Sequence, residues 1–142
     1  IHDAFMSGPE HAVELTHGYT YSAHPLACAA GLATLDIYRD EKLFERARAI
    51  EPKFAEAVMS LRKEAGVQDI RTVGLTAGID LAPIPDMPGK RGFAGLNSAF
   101  HDNDLMVRVA GDTIALTPPL IVTEDEIGEI VDKVAKVIRA TA

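Results

Sequence analysis

Residues 105–116 read Leu105-Met106-Val107-Arg108-Val109-Ala110-Gly111-Asp112-Thr113-Ile114-Ala115-Leu116 (LMVRVAGDTIAL). Two aliphatic runs flank Gly-Asp, the pattern of a two-residue hairpin. With Gly111 and Asp112 as the turn, Ala110 faces Thr113, Val109 faces Ile114, Arg108 faces Ala115 and Val107 faces Leu116. Side chains alternate between the two faces of a strand. Val107, Val109, Ile114 and Leu116 therefore share an apolar face, predicted to be core. Arg108 projects from the other face beside Ala110 and Ala115.

Downstream, Thr117-Pro118-Pro119 ends the hairpin. Thr123-Glu124-Asp125-Glu126 has the form of a capping box and predicts a helix start. Ile127, Ile130, Val131, Val134 and Ile138 form the apolar stripe of that helix. Its acids lie first and Lys133, Lys136 and Arg139 last, which suits the helix dipole. Upstream, residues 68–73 alternate as a strand, and 75–81 read as a more buried one, interrupted by Gly74 and Gly78. The proline-rich run 83–89 is a loop, and a short helix is predicted over 93–101.

Residues 43–64 carry Phe44, Ala47, Ile50, Phe54, Val58 and Leu61 three or four apart, a helical spacing. Pro52 is predicted to kink or restart this helix, and Gly66 to stop it. Pro25 suits a first helical position, opening a helix to about Arg39 rich in Ala and Gly. Gly31 weakens that helix, so close packing against a neighbour is expected there. Residues 1–24, with Gly8-Pro9 and Gly18, read as loop. Strands in the middle with helices before and after predict an α+β layer structure.

Composition narrows the function. The 142 residues are about one domain, with a formal charge of −7 and no basic stripe, which argues against a nucleic-acid surface. Cys28 is the only cysteine, so no internal disulfide forms. A reducing compartment follows, and a cytoplasmic location is expected. In an Ala-rich helix, Cys28 is predicted to be a small buried residue. The longest weakly polar run, 25–35, falls short of the roughly 20 residues of a membrane span. The opening Ile1-His2-Asp3 reads as a piece of something longer.

Three groups of residues can carry chemistry. Arg108 has small neighbours that leave room for a ligand, and a guanidinium binds a carboxylate through two parallel hydrogen bonds. The same spacing is also that of a solvated arginine on an open sheet face. Gly18-Tyr19-Thr20 offers a hydroxyl and backbone N–H groups suited to a phosphate, or simply an irregular loop with a capping hydroxyl. His17, His24 and Cys28 match no zinc pattern, so no metal is expected. His101-Asp102-Asn103-Asp104 reads as a solvated turn before a strand, and Glu124 to Glu126 as a helix start only.

The run Thr16-His17-Gly18-Tyr19-Thr20-Tyr21-Ser22-Ala23-His24-Pro25, followed by its small-residue helix, resembles the segment after the catalytic lysine in class III pyridoxal-phosphate aminotransferases. Gly74 to Leu81 and Met106 to Ile114 with Pro118-Pro119-Leu120 are similar to a strand and a late hairpin of that family, in the same order. The resemblance covers essentially the whole chain. Within the family, Arg108 and the Phe5-Met6 lead-in look most like the ω-amino acid (β-alanine):pyruvate branch.

The resemblance implies an α/β fold: a C-terminal fragment of a fold type I pyridoxal 5'-phosphate (PLP) transferase. It implies that 1–24 is the tail of the large domain, 25–64 the linking helices, and 65–142 a small C-terminal domain. Tyr19 and Thr20 would bind the cofactor phosphate of the partner protomer in a homodimer or dimer of dimers. Arg108 would grip the substrate carboxylate and swing aside for substrates without one. The implied reaction moves an amino group from a β- or ω-amino acid, or an amine, to pyruvate. The Schiff-base lysine would lie upstream of Thr16. None of Lys42, Lys53, Lys63, Lys90, Lys133 and Lys136 has its context, so this piece alone is expected to be inactive. An aminomutase or decarboxylase of the same fold, or a non-catalytic α+β interaction domain, are the alternatives.

Overall fold

The computed structural model describes Asp3, Ser7, Gly8 and residues 20–141. The chain divides into two compact units, Ile1–Ile37 and Tyr38–Ala142. In chain order the regular elements are α1 (Pro25–Asp40), α2 (Leu43–Met59), a 3-10 turn (Ser60–Lys63), β1 (Val67–Val73), β2 (Thr76–Leu81), α3 (Lys90–Asn103), β3 (Arg108–Ala110), β4 (Thr113–Leu116) and α4 (Glu124–Ala140).

In the first unit, the loop expected over 1–24 lies largely outside the described residues, although Asp3 is helical. Residues 20–23 form a turn, closed by the His24 N–H donating to the Tyr21 carbonyl at 3.2 Å. Ala23 takes φ 61°, a left-handed conformation uncommon for a residue with a Cβ. Pro25 then begins α1 as predicted. None of the residues of α1 is buried. This corrects one expectation, the burial of Cys28. Cys28 is exposed, and a Cβ added at Gly31 would meet nothing within 4 Å.

The second unit is built on a sheet of four strands in the order β1-β2-β4-β3. All three pairings are antiparallel. Ile70, Ala77, Ile79, Leu81, Ile114 and Leu116 are buried on its inner face. They share one core with Phe54, Val58 and Leu61 from α2 and its 3-10 turn, Ala99 from α3, and Ile127, Val134, Val137 and Ile138 from α4. The outer face carries Asp69, Arg71, Thr76, Asp80, Arg108 and Thr113 among small residues such as Gly78, Ala110 and Ala115, the usual division for an antiparallel sheet with one covered side.

Helix α4 starts where its sequence says. Thr123 Oγ1 accepts the Glu126 N–H at 3.2 Å, and Glu126 Oε2 accepts the Thr123 N–H at 2.8 Å. Helix α2 does not restart at Pro52: it runs through as one element and tightens only at Ser60. An interior proline costs about 3 kcal/mol. Phe54 and Val58, just beyond it, are fully buried. Burial of that kind contributes about 1.5–3 kcal/mol per side chain and offsets the local cost.

Helix α3 is longer than the predicted 93–101 and absorbs His101, Asp102 and Asn103, which form its last turn, His101 and Asp102 being exposed. Asp104 ends it in a left-handed conformation, φ 47°. Strand β3 is correspondingly short, and Val107 lies outside the ladder. Among the described residues, no helix is long and apolar enough to cross a membrane.

Candidate functional site

The hairpin forms in the predicted register: Arg108 opposite Ala115, Val109 opposite Ile114, Ala110 opposite Thr113. Gly111 takes φ 60°, and Asp112 does not share the positive φ. A single left-handed residue in first place, filled by glycine, is what one of the two favoured hairpin turns requires. Ile114 and Leu116 point into the core. Arg108 is exposed on the opposite face, as the alternation demands.

Register extends this into a row across the whole sheet. Arg71 pairs with Gly78, Gly78 with Ala115, and Ala115 with Arg108. Two arginines thus stand at opposite ends of two small residues. Arg71 is fully engaged. Its Nη1 donates to Asp80 and to Asp69, the latter at 3.1 Å, and its Nη2 donates to Asp80 Oδ1 at 2.9 Å. Thr113 Oγ1 adds a hydrogen bond to Asp80 Oδ1 at 2.7 Å. These bonds, Arg71 first and Thr113 second, hold the Asp80 carboxyl below the usual carboxylate range. The Arg71 guanidinium lies over Gly78, where a Cβ would meet its Nη2 at 3.4 Å.

Arg108 has none of this. Among the described residues it makes no hydrogen bond or ion pair. It lines a cleft of about 260 Å³ with Met106, Ala115, Pro118 and Pro119. A neighbouring cleft of about 400 Å³ is larger, but Lys133, the cation in its wall, already pairs with Glu129 at 2.8 Å. The smaller cleft is therefore the better candidate for an anion. Just after Pro119 the chain is held from α2: Arg46 donates to the carbonyls of Leu120 and Val122, the second at 2.7 Å.

The turn beside Arg108 is anchored in a way the sequence does not announce. Asp112 Oδ2 accepts the Gly89 N–H at 2.7 Å and Oδ1 accepts the Gly92 N–H at 2.9 Å. Gly89 is the N-cap of α3. The carboxylate thus does the work of a capping side chain from across the fold. Its acidity is strengthened first by the Gly89 and then by the Gly92 N–H.

The proposed phosphate residues are placed less completely. Tyr19 and His17 lie outside the described residues. Thr20 is exposed, at the start of the turn that leads into α1. Among the described residues it has no hydrogen-bond partner. Thr20 and Arg108 belong to different compact units.

Sequence reasoning missed the Asp112 clasp, the Arg46 clamp and the Arg71–Asp80 pair. The first two join residues 20 or more apart in the chain, and the third depends on the register of β1 against β2, so only the Gly-Asp turn itself could have drawn attention to Asp112.

The aminotransferase class-III family model matches residues 2–138. An omega-aminotransferase of Caulobacter vibrioides is 49% identical, aligned over 97% of this chain and 31% of that protein. A beta-alanine–pyruvate aminotransferase of Pseudomonas aeruginosa is 39% identical, aligned over 100% of this chain and 32% of that protein. An omega transaminase from Pseudomonas jessenii, solved in complex with PMP, superposes with a TM-score of 0.80 at 33% identity, over 89% of this chain and 29% of that one. The chain spans about a third of the length of the curated relatives it matches.

Proposed function

This chain belongs to the class III aminotransferases, and on that premise we propose that the whole protein is a PLP-dependent transaminase. It moves an amino group from a β- or ω-amino acid, or an amine, to pyruvate. The observation that carries this reading is the state of Arg108: exposed, unpartnered among the described residues, and directly opposite Ala115. An uncommitted guanidinium with small neighbours suits a carboxylate that comes and goes.

The donor chemistry fits the cofactor as well. The Thr20 hydroxyl is exposed and unspent among the described residues, and it donates to phosphate oxygens in this reading. The N–H of Tyr19 or Thr20 assists. PLP, when bound, supplies the electron sink for amino-group chemistry. The residues of this chain bind and orient. Thr20 holds the phosphate, Arg108 grips the donor carboxylate, and Arg108 moves aside for donors that lack one.

We assign residues 1–24 to the large domain, 25–64 to the linking helices and 65–142 to the small domain. We assign the protein to a homodimer or dimer of dimers, with Thr20 reaching the partner's cofactor. Support comes from α1, whose Leu26, Leu32 and Leu35 are 77%, 65% and 61% exposed. Apolar helix surface of this kind is normally buried against something. A cytoplasmic location is consistent with the single exposed Cys28.

The test is an assay of the full-length protein with an amine donor and pyruvate. Alanine should form in step with donor consumption. Donor loss without alanine removes the transaminase reading in favour of an aminomutase or decarboxylase. Thr20→Ala should weaken cofactor retention roughly tenfold, the scale of one charge-assisted hydrogen bond, measured as release on dialysis.

A further inference from the structure

Resting on the reading of Arg108 as the carboxylate grip, we propose that Asp112 is a positioning residue for it. The carboxylate of Asp112, bound to the N-terminus of α3, sets the backbone of β3 from which Arg108 reaches the donor.

Strand β3 has three residues and is the edge of the sheet, paired only to β4. By contrast, β4 lies between β3 and β2 and buries Ile114 and Leu116. The core thus secures β4 without help, whereas β3 contributes only the half-buried Val109. What else holds β3 is the turn. Asp112 ties that turn to Gly89 and Gly92 by its carboxylate, at 2.7 and 2.9 Å, and its carbonyl accepts the Leu81 N–H at 3.0 Å.

The same contact is visible from the helix. A Cβ at Gly92 would collide with the Gly111 carbonyl oxygen and lie 2.7 Å from Val109 Cγ1. Helix α3 therefore rests directly on β3 and its turn. Two-pronged recognition of a carboxylate needs the guanidinium placed to about 0.5 Å. A displacement near 1 Å can cost about a hundredfold in rate. An edge strand this short, without its clasp, does not meet that tolerance.

The experiment uses the full-length holoenzyme. It compares kcat/KM for β-alanine with that for propylamine, which has no carboxylate, and measures binding of unreactive propionate by calorimetry. Asp112→Ala should lower the β-alanine to propylamine ratio at least about tenfold, through KM rather than kcat, and weaken propionate by a similar factor. Asp112→Asn keeps an acceptor oxygen for one of the two N–H groups and should recover about half of that loss on a logarithmic scale. A ratio and a propionate affinity within about twofold of wild type in both variants would overturn the proposal, whatever happens to the unfolding temperature. If the Ala variant does not fold, the Asn variant decides by the same criterion. Arg108→Ala separates the two claims. If it moves neither readout, the reading of Arg108 fails and the proposal falls with it. If it moves both and the Asp112 variants move neither, only the positioning role fails.

Discussion

Arg71 and Arg108 occupy the two ends of one row of the sheet, and they are in opposite states. Arg71, on β1, reaches Asp69 on its own strand and Asp80 on the next. Asp69 and Asp80 are themselves directly paired, a like-charge opposition that the shared guanidinium relieves. Arg108, on β3, faces alanine and has no acid within reach among the described residues. The side chains are chemically identical. What differs is whether the fold supplies a carboxylate. A cation held ready for a ligand requires neighbours that do not already satisfy it.

Several substitutions would break or sharpen this contrast. Arg108→Ala should have the largest effect, lowering kcat/KM for a β-amino acid donor about a hundredfold, the scale of two charge-assisted hydrogen bonds. Steady-state kinetics on the full-length enzyme check it. Ala115→Glu would give Arg108 the internal partner that Arg71 already has. It should cost about tenfold with the same donor, because the new carboxylate competes for the guanidinium. An unchanged value would show that Arg108 does not hold the donor.

Arg71→Ala should leave those kinetics within about twofold and lower the unfolding temperature only slightly, since exposed ion pairs contribute little. Differential scanning fluorimetry and the donor assay together test this. Last and smallest is a pH effect. The Asp80 carboxyl is depressed in the folded state by Arg71 and then Thr113. Its stabilisation is present above the unfolded carboxylate value of about 3.9 and is lost as pH falls through the lower folded value. Asp80→Asn should therefore flatten the acid limb of the stability curve below about pH 4 and leave its slope at neutral pH unchanged, as read from urea midpoints at stepped pH.

The hairpin, its register and the outward direction of Arg108 are legible in the sequence because all three follow from alternation about Gly111-Asp112. The start of α4 is legible because its capping box lies within four residues, Thr123 to Glu126. The start of α3 is not, because no Ser, Thr, Asp or Asn occupies its N-cap and the capping carboxylate arrives from Asp112, 20 residues after Gly92. That α2 does not restart at Pro52 has a related reason: the burial of Phe54 and Val58 offsets a local penalty. Cys28 misleads differently, since apolar composition indicates that a helix needs cover but not that this chain provides it.

By itself, then, the sequence determined local periods: which residues alternate, which recur at helical spacing, where a turn or cap begins. These depend on neighbours a few positions away. The tertiary structure alone decided which arginine is committed and which, among the described residues, is free. The order β1-β2-β4-β3 brings Asp80 to Arg71 and leaves Arg108 at the far edge with alanine. Hydrogen bonds and charge pairs act over about 3 Å of space, and separation along the chain says nothing about who will be that close.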